Sequence, residues 1–483
     1  MVTTRQNDDS DEARDSLPRV SAVTEASRFA STAGHTAVGV GRFVTSSVTG
    51  LLRGKRPGTA TVAHEVRRTF EQLGPTYVKL GQLIASSPGV FGKTMADEFE
   101  TLLDQVAPAD PNAIRQVFVE ELGAEPEEVF AQFDMTPIAS ASIAQVHTAT
   151  LPTGEEVVVK IQRPGIAGRL APDVAILERL AGLVEISDYG RMLSARHVVE
   201  DFADGLDSEL DFRNEAATMA EWFECLQPGP FGDRVRVPAV YDHLTTARVM
   251  TMERIYATRI DDARAVRAAG HDGEALCRNL LLSLLDSAFH GGLFHGDLHA
   301  GNVLVDADGK LVMLDFGIVG RFDARTRRIL RQLVVDLIVK QDYDSAGRAI
   351  FLLGAVHNPG STAAGAADIK KVAAPLSTTE MASMSYTDLG RQLAAVAKAH
   401  DARLPRELVL VGKQLLYVEK YMKLLAPRWK AISDREIYGY MAGIMKEAER
   451  DRRARGTAGR PAPESQPSES QTARPTELGD DRI

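Results

Sequence analysis

The chain has 483 residues, of which 44% are hydrophobic and 25% are charged, so it has the composition of an ordinary globular protein and room for roughly two or three packed units. Its formal net charge of −10 argues against a nucleic-acid-binding protein, because such proteins need a basic face. The two cysteines, Cys225 and Cys277, lie far apart and lack the spacing of a zinc site. This argues against a disulfide framework and favours a reducing compartment.

Residues 1–60 are predicted to lie outside the folded part of the chain. Residues 1–16 are polar and acidic, without a basic start or an apolar stretch, so we expect disorder and no signal peptide there. Residues 20–56 are rich in small residues and end in a basic cluster. Two interpretations of this segment stay open: a helix lying in a membrane interface, or a loose linker whose basic end is solvated.

Residues 61–135 carry apolar side chains at intervals of three and four residues, which predicts a helical extension. Near Ile138 the pattern changes to an alternation of β-branched residues around a Pro-Thr-Gly turn, which predicts a β-hairpin. Two more strand-like stretches, "RVRVPAVY" and "ARVMTMERI", follow after a helical region. Together they predict a small β-containing lobe with inserted helices over residues 136–258.

Residues 259–450 are predicted to be almost entirely helical, apart from the hairpin "NVLV…KLVM". Two long apolar stretches in this region contain charges, Asp286 in one and Lys413 among those in the other, so we interpret them as amphipathic helices and expect no membrane span. Residues 451–483, rich in Pro, Ser, Gly and charge, are predicted to be disordered. The expected fold class is α+β, with the two lobes of a protein kinase: a small N-lobe that contains the strands and a large helical C-lobe.

The stretch "FHGDLHAGNVLV", residues 294–305, has the residue spacing of a phosphotransferase catalytic loop. Asp297 is predicted to orient or deprotonate an acceptor. Asn302 and Asp315, the latter within "LDFG", are predicted to supply the oxygen ligands that Mg²⁺ prefers. His295 is expected to pack and form hydrogen bonds that hold the loop. The sequence therefore predicts a kinase-like site for ATP and Mg²⁺.

A lysine and a glutamate upstream complete this predicted nucleotide site. Lys160 lies in the apolar stretch "VVVKIQ", where burial of an unpaired ammonium group would be costly, and Glu215 is its expected acidic partner. The expected phosphate loop, "ASASIAQVH", has no glycine, so backbone amides and the serine hydroxyls would have to bind phosphate. The residues expected to line the nucleotide are Ala139, Ser140, Ala141, Ser142, Lys160 and Glu253.

Three departures separate the chain from conventional protein kinases. Gly296 replaces the arginine of the HRD motif, and His299 stands where many protein kinases have a lysine. After Gly317 the sequence leads directly into a helical pattern instead of a substrate-positioning segment. We therefore expect no conventional platform for a protein substrate.

With these features the chain resembles the ADCK/UbiB (AarF-type) family of atypical kinases. The resemblance rests on "KLGQ" at 79–82, the alanine-rich "ASASIAQVH", "ELDFRNEA" at 209–216 and "HGDLHAGN…LDFG". It implies that the N-terminal extension contains a KxGQ helix that crosses the active site and occludes the place of a protein substrate. The implied regulatory contacts join Lys79, on one helical stripe with Gln82, to the ExD acids Glu209 and Asp211.

The resemblance also implies an ATP- and Mg²⁺-binding protein with ATPase-type activity and little phosphorylation of other proteins. Its implied role is to support the synthesis of an isoprenoid quinone or another lipid. The implied partners are nucleotide, an anionic lipid membrane and a lipophilic quinone precursor, and the implied location is the cytoplasm, peripheral on the inner face of the cell membrane. No nucleic-acid partner is expected, and the oligomeric state is not predicted.

Two other functions stay open. The loop "HGDLHAGN" is also typical of small-molecule phosphotransferases of the aminoglycoside- or choline-kinase type. The implied occluding helix and the glycine-free loop are compatible with a nucleotide-sensing pseudokinase scaffold.

Overall fold

The computed structural model describes residues 59–85, 93–99, 107–185, 195–227, 229, 231–336, 406–431 and 434–458, with scattered positions within 28–34, 340–368 and 392–403. The predicted membrane-surface segment 20–56 lies outside these residues except at positions 28, 31, 32 and 34. The predicted tail lies outside them beyond residue 458.

The N-terminal extension is helical, as predicted. Its helices are α1 (Thr59–Leu73), α2 (Pro75–Ala85), α3 (Lys93–Phe99), α4 (Pro111–Leu122) and α5 (Pro126–Val129). Gly74, at φ +105°, separates α1 from α2, because a residue with a Cβ atom rarely adopts this backbone conformation. The ring of Phe70 then packs edge-on against Tyr77 on α2 and Phe99 on α3, with centroids 5.7 and 5.2 Å apart.

The chain then forms the strands and helices of the N-lobe, together with one short strand that belongs to a sheet of the C-lobe. In order, its elements are β1 (Gln132–Phe133), β2 (Ala139–Ser140), β3 (Ala144–Thr150), β4 (Glu156–Gln162), α6 (Ile166–Val184), α7 (Ala195–Glu209), α8 (Phe212–Leu226), β5 (Val235–Arg236) and β6 (Val249–Glu253). One antiparallel sheet has the strand order β1-β3-β4-β6, with β2 paired to β3. The predicted hairpin is therefore confirmed as β3 and β4.

Successive side chains of β4 point to opposite faces of the sheet, and this decides which of them face the cleft between the two lobes. Val157, Val159 and Ile161 are fully buried and pack against α4. Because successive side chains of a strand point to opposite faces, Lys160 points the other way, toward α8. On the outer side of the lobe, Tyr77 of α2 packs with residues of α6 and α7, so the KxGQ helix is attached to the N-lobe by an apolar contact.

The C-lobe contains short strands within a helical framework. Its elements are β7 (Thr258–Arg259), α9 (Ala263–Ala268), α10 (Gly273–Asp286), β8 (Leu293–His295), β9 (Val303–Val305), β10 (Leu311–Met313), β11 (Val319–Arg321), α11 (Ala324–Val334), β12 (Ala355–Val356), β13 (Ala402–Arg403), α12 (Arg406–Leu425) and α13 (Arg435–Ala458). One sheet has the order β5-β10-β9-β7, and β8 pairs with β11 and β12 with β13. Trp222, Phe294 and Tyr421 are among the fully buried residues of this core.

Aspartates begin several of these helices. The side chains of Asp110, Asp211, Asp272 and Asp323 each accept a hydrogen bond from a backbone N–H in the first turn of α4, α8, α10 and α11. These bonds satisfy N–H groups that have no partner within the helix.

The β8–β11 pair places the catalytic loop beside the DFG segment. Gly320 lies opposite Phe294, and a Cβ atom at 320 would be 2.0 Å from Cζ of Phe294, so this close approach requires glycine. After β11, only Phe322 and Asp323 precede α11. The predicted short path from the DFG segment into a helix is confirmed, with one short strand added.

The fold is α+β and two-lobed, as the sequence predicted. The predicted subdivision at residues 60, 135, 258 and 450 stays a prediction. α13 continues through residues 451–458, where the sequence predicted that the disordered tail begins. Within the described ranges, every helix is too short or too polar to cross a lipid bilayer.

Candidate active site

The catalytic loop, residues 295–302, is held by the side chain of His295. The backbone N–H of Asp297 donates to Nδ1 (3.0 Å), and Nε2 donates to the carbonyl of Leu314 (2.9 Å). These partners place the proton of a neutral imidazole on Nε2, and burial lowers the pKa of His295. The ring of Phe316 packs edge-on against the imidazole at 4.8 Å. The structural role predicted for His295 agrees with these contacts.

Asn302 and Asp315 come together where the loop meets the DFG segment. The side-chain amide of Asn302 donates to the backbone carbonyl of Asp297 (3.1 Å), and the backbone carbonyl of Asn302 accepts from the N–H of Leu314 (2.9 Å). Asp315 has φ 55°, the only positive φ of a non-glycine residue in the described part of the chain. Such local strain is common at functional sites. The Asp315 carboxylate accepts from the backbone N–H of Gly317 at 3.2 Å.

Two ion pairs cross the N-lobe side of the cleft. Nζ of Lys160 lies 2.6 Å from Oε2 of Glu215, and Nζ of Lys79 lies 2.8 Å from Oε2 of Glu209. Burial on its own would lower the pKa of Lys160, but Glu215, Asp315 and Glu209 raise it. The predicted partner of Lys160 is therefore present, as is the pairing implied for Lys79 and Glu209.

The cluster contains three carboxylates and two ammonium groups, so it carries an excess negative charge. Burial raises the pKa of Glu209 and Glu215, the charge of Asp315 raises both further, and the lysines oppose this shift. Asp315 is exposed to solvent, and the protein atoms around it form only a partial enclosure. That enclosure on its own would raise the pKa of Asp315, but Lys160 and Lys79 hold it well below its usual range. Asp315 is therefore ionised at neutral pH and can attract a cation.

A carboxylate oxygen, as on Asp315, and an amide oxygen, as on Asn302, are donor types that suit a magnesium ion shared with nucleotide phosphates. In proteins Mg²⁺ is usually bound through one or two carboxylates together with phosphates and water. In the part of the chain that the structure describes, no group of three or more His, Cys, Asp or Glu side chains could hold a metal by itself. A hard cation shared with a nucleotide suits this donor set.

Asp211 does not pair with Lys79, so the implied contact with both ExD acids is correct for Glu209 and wrong for Asp211. The Asp211 carboxylate caps α8 and accepts from the backbone N–H (3.0 Å) and the guanidinium (2.6 Å) of Arg213. The physical reason is the extended cap conformation of Asp211, which directs its side chain to the start of the helix. Gln82 is partly buried, three residues after Lys79 on α2. The regulatory roles of these residues stay predictions.

The alanine-rich loop, residues 139–142, is held by Arg163 at the end of β4. Nε of Arg163 donates to the carbonyl of Ala141 (2.7 Å), and Nη2 donates to Oγ of Ser140 (2.7 Å). Ser142 is buried. The hydroxyl oxygen of Ser140 therefore accepts from a protein group. Nucleotide binding by Ala139, Ser140, Ala141 and Ser142 stays a prediction.

Glu253, the last residue of β6, is bound by Arg236 of β5. Both Glu253 carboxylate oxygens accept from Nη1 of Arg236, each at 2.9 Å. Arg236 also reaches Asp306 at 3.3 Å. The carboxylate of Glu253 thus joins strands of the two lobes, and its predicted contact with the nucleotide stays a prediction.

The residues that sequence reasoning missed lie on α12. Lys413, which the sequence pattern indicates only as one charge of an amphipathic helix, donates from Nζ to Oδ1 of Asp297 at 3.0 Å. The neighbouring Gln414 is fully buried and bonds to the loop on both sides of Asp297. No signal in the local sequence indicates these contacts, because 116 positions separate Lys413 from Asp297.

Comparison with known proteins identifies a kinase-like family and relatives from bacteria and a plant. Residues 101–349 match the family described as the ABC1 atypical kinase-like domain. The chain is 52% identical to an uncharacterised protein of Mycobacterium tuberculosis, over 90% of this chain and 88% of that protein. It is 33% identical to an uncharacterised aarF domain-containing protein kinase, chloroplastic, of Arabidopsis thaliana, over 77% and 73% of the two chains.

It is also 32% identical to a probable protein kinase UbiB of Cronobacter sakazakii, over 76% of this chain and 68% of that protein. Among solved structures, the complex of the Mycobacterium tuberculosis protein Rv3197 with erythromycin covers 81% of this chain and 97% of that one. The identity is 23% and the TM-score is 0.49.

Proposed function

Because the chain belongs to the ABC1 (ADCK/UbiB, AarF-type) family of atypical kinase-like proteins, we propose that it binds Mg²⁺ and ATP between its lobes and acts as an ATPase or as a kinase for a lipid or small molecule. The observation that carries the proposal is the convergence of Lys160, paired with Glu215 at 2.6 Å, with Asn302 and Asp315 at one cleft. Phosphoryl transfer needs this set of groups.

In the proposed site each residue has one task. Lys160 binds nucleotide phosphates, and Glu215 keeps its ammonium group in place. Asn302 and Asp315 hold magnesium, which when bound neutralises charge on the phosphates. Asp297 orients the acceptor and takes its proton. The Ala139–Ser142 loop covers the phosphates through its backbone amides.

The acceptor is proposed to be small or lipophilic instead of a folded protein. Lys79 reaches Glu209 from α2 and thereby occupies part of the cleft, and only two residues separate β11 from α11 where protein kinases bind a peptide. Following the resemblance to UbiB proteins, we propose a quinone precursor or another isoprenoid lipid as client. Contact with the inner face of the cell membrane would then be peripheral.

The test is ATP hydrolysis by the purified chain with Mg²⁺, with and without anionic liposomes. We expect Asp315→Asn to reduce turnover by roughly 100-fold or more, because it removes a metal ligand. Asp308→Asn, the same chemical change at an exposed turn between β9 and β10, is the matched control and should leave turnover unchanged. Removal of Mg²⁺ by a chelator should act like Asp315→Asn.

Each outcome has a distinct meaning. Asp315-dependent turnover that rises with liposomes supports the membrane-coupled proposal. Nucleotide binding without turnover would favour a nucleotide-sensing scaffold, and a phosphorylated soluble metabolite made only by the wild type would favour a small-molecule phosphotransferase. Unchanged binding and turnover in Asp315→Asn would show that the site is assigned incorrectly.

A further inference from the structure

Two adjacent residues of α12 hold Asp297 by its side chain and by its backbone. Lys413 donates from Nζ to Oδ1 of Asp297 at 3.0 Å. Gln414 donates from Nε2 to the carbonyl of Gly296 (2.6 Å), and its Oε1 accepts from the N–H of Leu298 (2.8 Å). Both peptide neighbours of Asp297 are thus bonded to one fully buried amide. This leaves the aspartate little freedom of position.

The helix that presents these groups is itself anchored to the loop. Tyr421, seven residues after Gln414 and on the same helical face, is fully buried and donates from its hydroxyl to the carbonyl of Leu298 at 2.7 Å. Nζ of Lys413 lies 5.7 Å from the ring centroid of Tyr417, one turn further along α12. The ammonium group is therefore held between a carboxylate and an aromatic face.

The loop has little positive charge of its own at this aspartate. Gly296 stands in the position of the HRD arginine, and Nε2 of His299 is 3.7 Å from Oδ2 of Asp297, beyond hydrogen-bond distance. Lys413 is thus the cation that touches the carboxylate, from a distant helix. It binds Oδ1, whereas Oδ2 is the oxygen nearer to His299.

We propose that Lys413 is a positioning residue of the phosphoryl transfer, which holds Asp297 with Oδ2 toward the acceptor and supplies from α12 the charge that the catalytic loop lacks. This inference rests on the proposed function. In the transfer, the acceptor oxygen bonds to the γ-phosphorus, and its proton passes to Oδ2 of Asp297. The bond from that phosphorus to the β,γ-bridging oxygen breaks, and its electron pair leaves with ADP.

A purely stabilising role explains the pair less well. The Lys413 and Asp297 side chains are 16% and 23% exposed, so both have lost much of their hydration. An ion pair in such a place often contributes no more stability than an apolar pair of the same shape. Its location on the aspartate of the loop points to the reaction instead.

The experiment compares kcat and KM for ATP in the wild type, Lys413→Met and Lys413→Arg. Lys420→Met is the matched control, because Lys420 lies on the same helix and is exposed. We expect Lys413→Met to lower kcat by roughly 10- to 100-fold with KM for ATP within about threefold, because nucleotide contacts lie elsewhere. Lys413→Arg should recover part of kcat, and Lys420→Met should match the wild type.

A double variant separates positioning from folding. Since Lys413 acts through Asp297, Lys413→Met should add little to the loss already caused by Asp297→Asn. Losses that multiply in the double variant, or a kcat of Lys413→Met equal to that of the wild type, would overturn the inference while Asp315-dependent turnover still supports the proposed function. Absence of Asp315-dependent turnover in the wild type would overturn both.

Discussion

The two halves of the candidate site hold their functional side chains by different means. On the N-lobe side, Lys160 and Lys79 form ion pairs with glutamates, at 2.6 and 2.8 Å. On the C-lobe side, the backbone of the catalytic loop is held by neutral groups: the His295 imidazole, the Gln414 amide and the Tyr421 hydroxyl. The Lys413–Asp297 pair is the charged exception.

This difference corresponds to what each half has to do. An ion pair between flexible side chains can be exchanged, so phosphates can share Lys160 with its glutamate when a nucleotide binds. Hydrogen bonds to backbone groups are directional and fix a geometry. The N-lobe side is therefore suited to binding and release, and the C-lobe side is suited to holding one aspartate in place.

The largest effect on stability is expected at a buried carboxylate that is paired with Arg28. Asp173 on α6 is fully buried and accepts from Arg28 at 2.8 and 2.7 Å and from Thr76 of α2 at 2.7 Å. Arg28→Ala leaves a buried carboxylate without its cation, which should cost about 3–5 kcal/mol of unfolding free energy. Denaturant titration measures the loss.

The control for that variant is Arg321→Ala, since Arg321 and its partner Glu221 are both more than half exposed. An exposed pair should contribute about 1 kcal/mol or less. Equal losses in the two variants would mean that burial of the Arg28–Asp173 pair does not set its contribution to stability.

The next effect tests the neutral hydrogen bonds of the C-lobe. Gln414→Met keeps the shape of the side chain but leaves the carbonyl of Gly296 and the N–H of Leu298 without their partner. We expect a loss of roughly 2–4 kcal/mol of unfolding free energy that varies little with salt. Gln116→Met, at an exposed position of α4, is the control and should stay within about 0.5 kcal/mol of the wild type. If the loss of unfolding free energy in Gln414→Met depended strongly on salt, the contrast between a charged N-lobe side and a neutral C-lobe side would be wrong.

The smallest effect concerns a charged cluster that lies away from the loop. His290 contacts Asp286 at 2.7 Å and Glu447 at 2.9 Å, beside Tyr440, and Arg331 lies 3.6 Å from Glu447. The hydrogen bond to Asp286 raises the pKa of His290, burial opposes the shift, and Glu447 adds to it.

A histidine with a raised pKa stabilises the fold fully below its unfolded pKa of about 6.5, and this contribution is lost as the pH rises through the folded pKa. His290→Gln should therefore destabilise the chain more at about pH 6 than at about pH 8.5. Denaturant titrations at both pH values measure the difference. Equal losses at the two pH values would contradict this expectation.

Local sequence patterns predicted the helices and strands, and the candidate site residues that these elements carry. Alternation in β4 predicted the strand that carries Lys160, and the spacing in residues 294–305 predicted the loop with Asp297 and Asn302. These features follow from backbone geometry over a few residues, and the predicted pairing of Lys160 with Glu215 is present. The sequence by itself determined the fold class and the strand and loop that carry these candidate site residues.

Tertiary structure alone decided which distant groups touch them. Asp211 was expected on Lys79, but the turn into α8 directs it to a helix cap. From the sequence, Lys413 is only one charge of an amphipathic helix. Packing of α12 places Lys413 and its neighbour Gln414 on the catalytic loop, 116 positions or more away. A helical pattern indicates which face of a helix is apolar, but not which other element that face will pack against. The choice of partner depends on how the whole core packs, and that information is not local.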